Sequence, residues 1–287
     1  MTRWSAVLAV LLSAGCAEPP ASTPSPEMDV DWLTQELWND GQAEVAFYRV
    51  YRTRDQYGRD NEQDFLVGTY LVKHDYSRVR GSKAVEGDTD AVPAFKYALF
   101  YEFESRSYEY KRSWVINAAQ ADLSPLKASF ASFDWCANQY REYAFSGDGL
   151  VQHLYRSDDY GNATDQWRHS GTVYPASAIP LLVRAITGNA EFGILQEDGS
   201  VVSVSASLSR DERGERVDLT YGAPVLSLVG EESALTESWW RGTGPDRLLV
   251  AMEAGDGRYG LELVEHLRSA YWEEDLYTRL QTVTERP

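Results

Sequence analysis

Cysteine is nearly missing from this 287-residue chain, which has only Cys16 and Cys136. One of them, as argued below, is set to carry lipid, so no internal disulfide can form and the fold must be held by its core alone. Long apolar runs are also missing. The longest, Ala6 to Leu12, is far shorter than the roughly 20 residues that span a bilayer as a helix. Basic residues are outnumbered, 27 Lys and Arg against 44 Asp and Glu, for a formal charge of −17. Such a surface repels nucleic acid, which is excluded as a partner. Serine chemistry lacks its signatures, with no Gly-x-Ser-x-Gly and no Ser-x-x-Lys. Gly242-Thr243-Gly244-Pro245 has neither the Lys nor the spacing of a phosphate loop. No pattern calls for a cofactor.

What is present begins at the N-terminus. Arg3, the run Ala6 to Leu12 and the small triplet Ser13-Ala14-Gly15 read as a secretory signal over 1–15. Cys16 follows directly, which is the arrangement of the bacterial lipobox, where the thiol is acylated and becomes the new N-terminus. Leu12 stands four residues before Cys16, one place off the usual leucine. Residues 16–28 then read as the lipidated cysteine and a disordered Pro/Ser/Thr tether. Ala17 rather than Asp after the cysteine points to the outer membrane, facing the periplasm.

Residues 29–287 read as a single β-rich domain. Asp31 is a candidate N-cap for a short helix carrying Trp32, Leu33, Leu37 and Trp38, stopped at Gly41. Period-two patterns take over from Ala43. Strands are expected at 43–52 and 64–76 with a turn at 55–63, and the alternation is clearest in FKYALFYEF (95–103). Hairpins are predicted for 95–103 with 108–116, for 201–209 with 216–222, and for 247–253 with 258–267. ASAIPLLVRAI (176–186) reads as one short mid-chain helix. Consecutive hairpins with one apolar face predict a mainly β fold: one large, strongly curved antiparallel sheet, as an open half-barrel, barrel or sandwich. Mid-strand charges and the two helices argue against a transmembrane barrel.

Three stretches, LWNDGQAEVAFYRVYRTRDQYGR (37–59), LVKHDY (71–76) and SFDWCANQY (132–140), resemble a group of bacterial secreted and lipoprotein chains with an acidic-Trp-Cys motif. The resemblance covers roughly residues 30–165. Members are sometimes labelled septum formation inhibitors, a name borrowed from an unrelated nucleotide pyrophosphatase whose Gly-rich start and α/β pattern this chain lacks. Ala137 departs from the group, which has Gly there. The group carries no established activity, so the resemblance implies an identity and transfers no catalytic residue.

Candidate chemistry is sparse. Cys136 is the one candidate nucleophile, and its thiolate needs a partner from His74, His153, His169 or His266. Asp134 beside it disfavours ionisation. If 128–138 is a strand, Trp135 faces the core, while Asp134 and Asn138 line the polar face as candidate ligand contacts. His153 and His169 bracket Asp158, Asp159, Asn162 and Asp165, a possible oxygen-rich or mixed metal set with neither EF-hand nor zincin spacing. The acidic loop 55–64 is a weaker version of the same idea. Eighteen Tyr and nine Trp suit a thick core or a hydrophobic groove, with helix 176–186 plugging the concave side. These readings make the chain a non-catalytic, membrane-anchored binder of a hydrophobic ligand, lipid or envelope protein. The alternatives are a thiol enzyme or hydrolase using Cys136, and a purely structural envelope component. Lipidation is tested first: Cys16→Ser should lose incorporation of a palmitate analogue and release the tagged chain from membranes. Label on both forms, or a Cys16→Ser chain that still sediments with membranes, contradicts it.

Overall fold

The computed structural model describes residues 23–55, 60–104, 109–135, 137–229 and 233–273, with 275, 278, 279 and 282. It is mainly β. The strands are β1 (Ala43–Asp55), β2 (Asp60–Ser77), β3 (Ser82–Lys83), β4 (Ala91–Glu104), β5 (Glu109–Ala119), β6 (Pro125–Phe133), β7 (Asn138–Phe145) and β8 (Leu150–Ser157). They continue as β9 (Gly161–Arg168), β10 (Val173–Pro175), β11 (Ala190–Leu195), β12 (Val201–Asp211), β13 (Gly214–Leu226), β14 (Ser233–Arg241), β15 (Leu249–Ala254) and β16 (Tyr259–Ser269). All belong to one sheet, ordered β10 through β16, then β1, β2 and β4 through β9, with β3 on the side of β2. Neighbours are antiparallel except β10 and β11. No helix among the described residues is long and apolar enough to cross a membrane.

The predicted hairpins form in the expected register. Phe103 faces Tyr110, Asp211 faces Gly214, and Met252 faces Leu261. Phe95, Tyr97, Leu99, Tyr101 and Phe103 are all buried on the inner face, as a sheet covered on one side requires. On β12 the serines at 203, 205 and 207 face out while Val204 and Ala206 face in. An apolar interior and a polar exterior are the reverse of a membrane-spanning barrel.

Two strands exceed expectation. Polar residues placed 55–63 in a turn, but β1 runs to Asp55 and β2 begins at Asp60. The strand ends extend beyond the core, where neither face has to be apolar. The N-terminal helix α1 (Val30–Leu33) is shorter than predicted and capped by Asp29 rather than Asp31: Trp32 N donates to Asp29 Oδ1 at 3.0 Å. A 3₁₀ turn (Glu36–Asn39) continues it, and Gly41 ends it at φ +74°. Residues 23–28, expected in the tether, lie along the domain. Thr23 bridges Gly171 and Met28 bridges Ile186. Gly171, at φ +90°, lies so close to Thr23 that a Cβ would sit 2.5 Å from its carbonyl oxygen.

The mid-chain helix α2 (Ile179–Ala185) fills the concave side, with every residue buried. Pro180 packs among Tyr48, Tyr97, Leu99, Trp239, Met252 and Leu261, leaving a gap of about 10 Å³, at the lower limit for one water molecule. Arg184 fixes the helix. Its Nη1 and Nη2 donate to the two carboxylate oxygens of Glu44 on β1, each at 2.7 Å. The guanidinium also lies over Trp32, 5.2 Å from the ring centroid. Arg241 on β14 donates through Nη1 to the carbonyls of Val183, Arg184 and Ile186 at 2.8, 2.7 and 3.0 Å, satisfying the C-terminal groups that a helix leaves open.

The sheet curls around α2 but does not close. Among the described residues β9 and β10 do not pair with one another. Instead β10 lies against β6, so β7–β9 run past the seam. Trp167 on β9 sits so close to Gly199, in the β11–β12 turn, that a Cβ there would meet the indole at 2.4 Å. Arg141 on β7 pairs with Glu197 in the same region.

Candidate functional site

The overlap leaves a groove at the seam. Trp114, Phe130, Arg141, Tyr143, Leu195 and Gln196 contribute to its walls, together with Val225 and the Pro175–Ser177 corner. Trp114 and Phe130 face each other across β5 and β6, ring centroids 4.4 Å apart. Phe130 in turn faces Arg141 on β7, whose guanidinium lies 4.9 Å from the Tyr155 ring. One inner face therefore carries Trp114, Phe130 and Arg141 side by side, and β11 closes over it. The cavity is small, about 40 Å³, room for about three waters.

Its polar groups are one-sided. Trp114 Nε1, Arg141 Nε and Gln196 Nε2 are buried N–H donors with no protein partner. An unpaired buried donor costs about 1–3 kcal/mol, so three around one cavity call for an occupant that accepts. Arg141 is already neutralised by Glu197. The groove thus offers apolar rings, three donors and little net charge. Its lining also includes the Ser129 and Ser177 hydroxyls and the Glu197 carboxylate, the last held by Arg141.

A second, wider cleft of about 660 Å³ lies at the opposite end of β9, lined by Arg78, Asp122, Asp148, His169 and the Gly147, Gly149 and Gly171 backbones. It is polar, and Asp148 is spent on Ser146 and Arg168. Hydrogen bonds from these two hold its carboxyl down to about 2.

The sequence-predicted residues are scattered. Cys16 and Cys136 lie outside the described residues. The expected strand 128–138 is instead the end of β6, a turn and the start of β7, so Trp135 is not in the core but 85% exposed. Asp134 Oδ1 accepts from Ala137 N at 2.7 Å, which shapes that turn. Asn138 donates through N and Nδ2 to Asp158 Oδ2, both at 3.1 Å, joining it to the β8–β9 turn. Asp159 is exposed in that turn, its N donating to Ser157 Oγ.

No metal set forms from His153, Asp158, Asp159 and His169, and in the acidic loop 55–64 the side chains of 55–60 lie outside those described. His153 is buried mid-strand between the Tyr143 and Trp167 rings, at 5.1 and 4.9 Å. Its Nδ1 is 3.1 Å from Asp165 Oδ2. His169 lies past the far end of β9, and Asp158 and Asp159 are at the near end. Among the described residues, Glu44, Asp246 and His266 do come together, but both Glu44 oxygens are held by Arg184, so a cation already occupies that place. Of the other imidazoles offered as partners for Cys136, His74 Nε2 is 3.0 Å from Asn117 Oδ1. Glu237 is a buried acid that composition did not single out. It accepts from Tyr221, Tyr259 and Trp239 at 2.8, 2.8 and 2.9 Å. Burial raises its pKa, and its full set of hydrogen bonds marks it as structural.

The groove itself had no local signal. Its residues come from six strands spread along the chain, and only the overlap of the sheet ends assembles them.

Comparison with protein-family models and with curated proteins gives no match. Among solved structures, the chain is similar to a β-barrel-like protein of Domain of Unknown Function DUF1849 from Brucella abortus. The two share 9% identity and a TM-score of 0.42, over 79% of this chain and 97% of that one.

The buried histidines give a pH prediction. Burial lowers the pKa of His153, His74 and His169. Below about 6.5 the unfolded chain therefore binds more protons than the folded one, and stability falls as pH falls. Carboxylates such as Asp40, lowered by Arg268 and by the Gln42 backbone against the opposing effect of burial, lose their contribution only further down. The melting temperature should drop between pH 7 and 5, and His153→Gln should shallow that slope. A flat profile over this range, or an unchanged slope in the variant, contradicts the assignment.

Proposed function

We propose that this chain is a non-catalytic binding domain of the bacterial cell envelope, anchored through lipid on Cys16 to the outer membrane and facing the periplasm. The signal, the lipobox-like cysteine and the resemblance to envelope lipoproteins support the location. The observation that carries the binding role is the seam groove, with aromatic walls and three unpartnered N–H donors. An acyl-carrier reading of the concave face would need room that α2 already fills. The ligand therefore enters at the seam, and it is narrow. It is also neutral: Glu197 occupies Arg141, and a chain of charge −17 repels anions at range. A neutral acyl ester meets these terms, its carbonyl accepting from the donors and its first methylenes lying on Trp114 and Phe130.

The test uses residues 17–287 as an unlipidated domain that keeps the Thr23 contact, and a brominated monoacylglycerol, whose bromines quench nearby indoles. Quenching should saturate and should be lost in Trp114→Phe. Gln196→Leu removes one donor and should weaken binding about tenfold with little change in melting temperature. Non-saturable quenching, or a Gln196→Leu affinity equal to wild type, overturns the proposal.

A further inference from the structure

A second surface lies apart from the groove, on the tips of two neighbouring hairpins. Phe133 ends β6, Trp135 sits in the β6–β7 turn and Tyr160 in the β8–β9 turn. Their exposures are 56%, 85% and 74%. Exposed aromatics gathered on neighbouring turns are the kind of apolar surface from which interaction sites are built. The turns that carry them are fixed in place. Asp134 closes the first turn on Ala137 N. Ser157 Oγ accepts from the Asp159 and Tyr160 backbones in the second. Asn138 and Asp158 tie the two turns together through both side-chain and backbone bonds. The rings are therefore displayed on a preformed support, which lowers the ordering cost of binding.

The two turns carry charge of one sign, and Lys111, which faces Phe133 from β5, is paired with Glu102. The segments 132–140 and 157–161 carry Asp134, Asp158 and Asp159 and no Lys or Arg. Aromatic faces attract cations through the ring quadrupole, Trp most strongly, and carboxylates beside them add to that attraction. The same carboxylates repel anionic headgroups. The tip also points away from the anchor side. Thr23 joins the domain at Ser170 and Gly171, past the last residue of β9, whereas Tyr160 precedes the first. The eight residues of β9 separate them by roughly 26 Å.

We propose that the Phe133–Trp135–Tyr160 tip docks a protein segment rich in Arg or Lys, with cationic side chains over the rings and between the three aspartates. The surface is independent of the seam groove, so a failure of one leaves the other standing.

The probe is a decapeptide of alternating Arg and Ala, titrated against the unlipidated domain, with a Glu/Ala peptide as its counterpart. Each ring is worth about two- to fivefold in affinity at an exposed site. Trp135→Ala with Tyr160→Ala should therefore weaken binding about tenfold, and Asp159→Asn should weaken it further. The exposed side chains should leave the melting temperature unchanged. Glu212→Gln, a remote substitution with the same charge change as Asp159→Asn, should change binding less than about twofold. Equal losses at tip and remote sites would reduce the effect to general acidity and overturn the proposal. So would wild-type affinity in the tip variant. Phosphatidylcholine vesicles form the last arm: tip-dependent binding to them, without peptide binding, would assign the surface to a membrane instead.

Discussion

One buried ion pair, Arg184 with Glu44, governs how this sheet is filled. Both side chains are almost completely removed from solvent, and burying two charges costs several kcal/mol per ion before their attraction is counted. The geometry repays it, with two parallel bonds of 2.7 Å and an aromatic face on Trp32. Arg241 and Arg247 then take the carbonyls at the end of α2. A seven-residue helix is too short to be stable alone. Here it is held by its own Arg184, which reaches out to Glu44, and by Arg241 and Arg247, which reach in from the sheet and the loop beside it.

The shape of the sheet follows from that filling. A helix inside the curl sets the radius, and the two ends meet by sliding over one another rather than by pairing edge to edge. Closed barrels remove their strand edges; this one covers them by overlap, through Trp167 on Gly199 and Arg141 on Glu197. Overlap is a looser fit than hydrogen-bonded pairing. It leaves donors without acceptors along the seam, and these line the groove. The hairpins beyond the seam extend freely, and their tips carry the exposed rings.

Much of this was legible in the sequence because half-buried strands repeat every two residues. The 95–103 and 201–209 patterns gave both strand and face, and 176–186, apolar apart from Ser177 and Arg184, gave a helix on the concave side. What was not legible had physical reasons. Asp29 and Asp31 are equally good caps by type, and only the i to i+3 reach to Trp32 N decides between them. Trp135 reads as core by residue type, yet Asp134 folds the chain into a turn there. His153 and His169 are close in sequence but separated along the strands, so the acidic residues between them never converge. The groove, built from six strands, depends on the curvature of the whole sheet, which no window of sequence contains.

The measurement that tests this account most directly is a double-mutant cycle on Glu44 and Arg184 in urea, using the unlipidated domain. Arg184→Met or Glu44→Leu alone leaves a buried charge unpaired and should cost about 3–5 kcal/mol. The double variant should recover at least about 2 kcal/mol of the summed loss. Single losses below about 1 kcal/mol that simply add would contradict the claim that this pair holds the helix on which the sheet is wound.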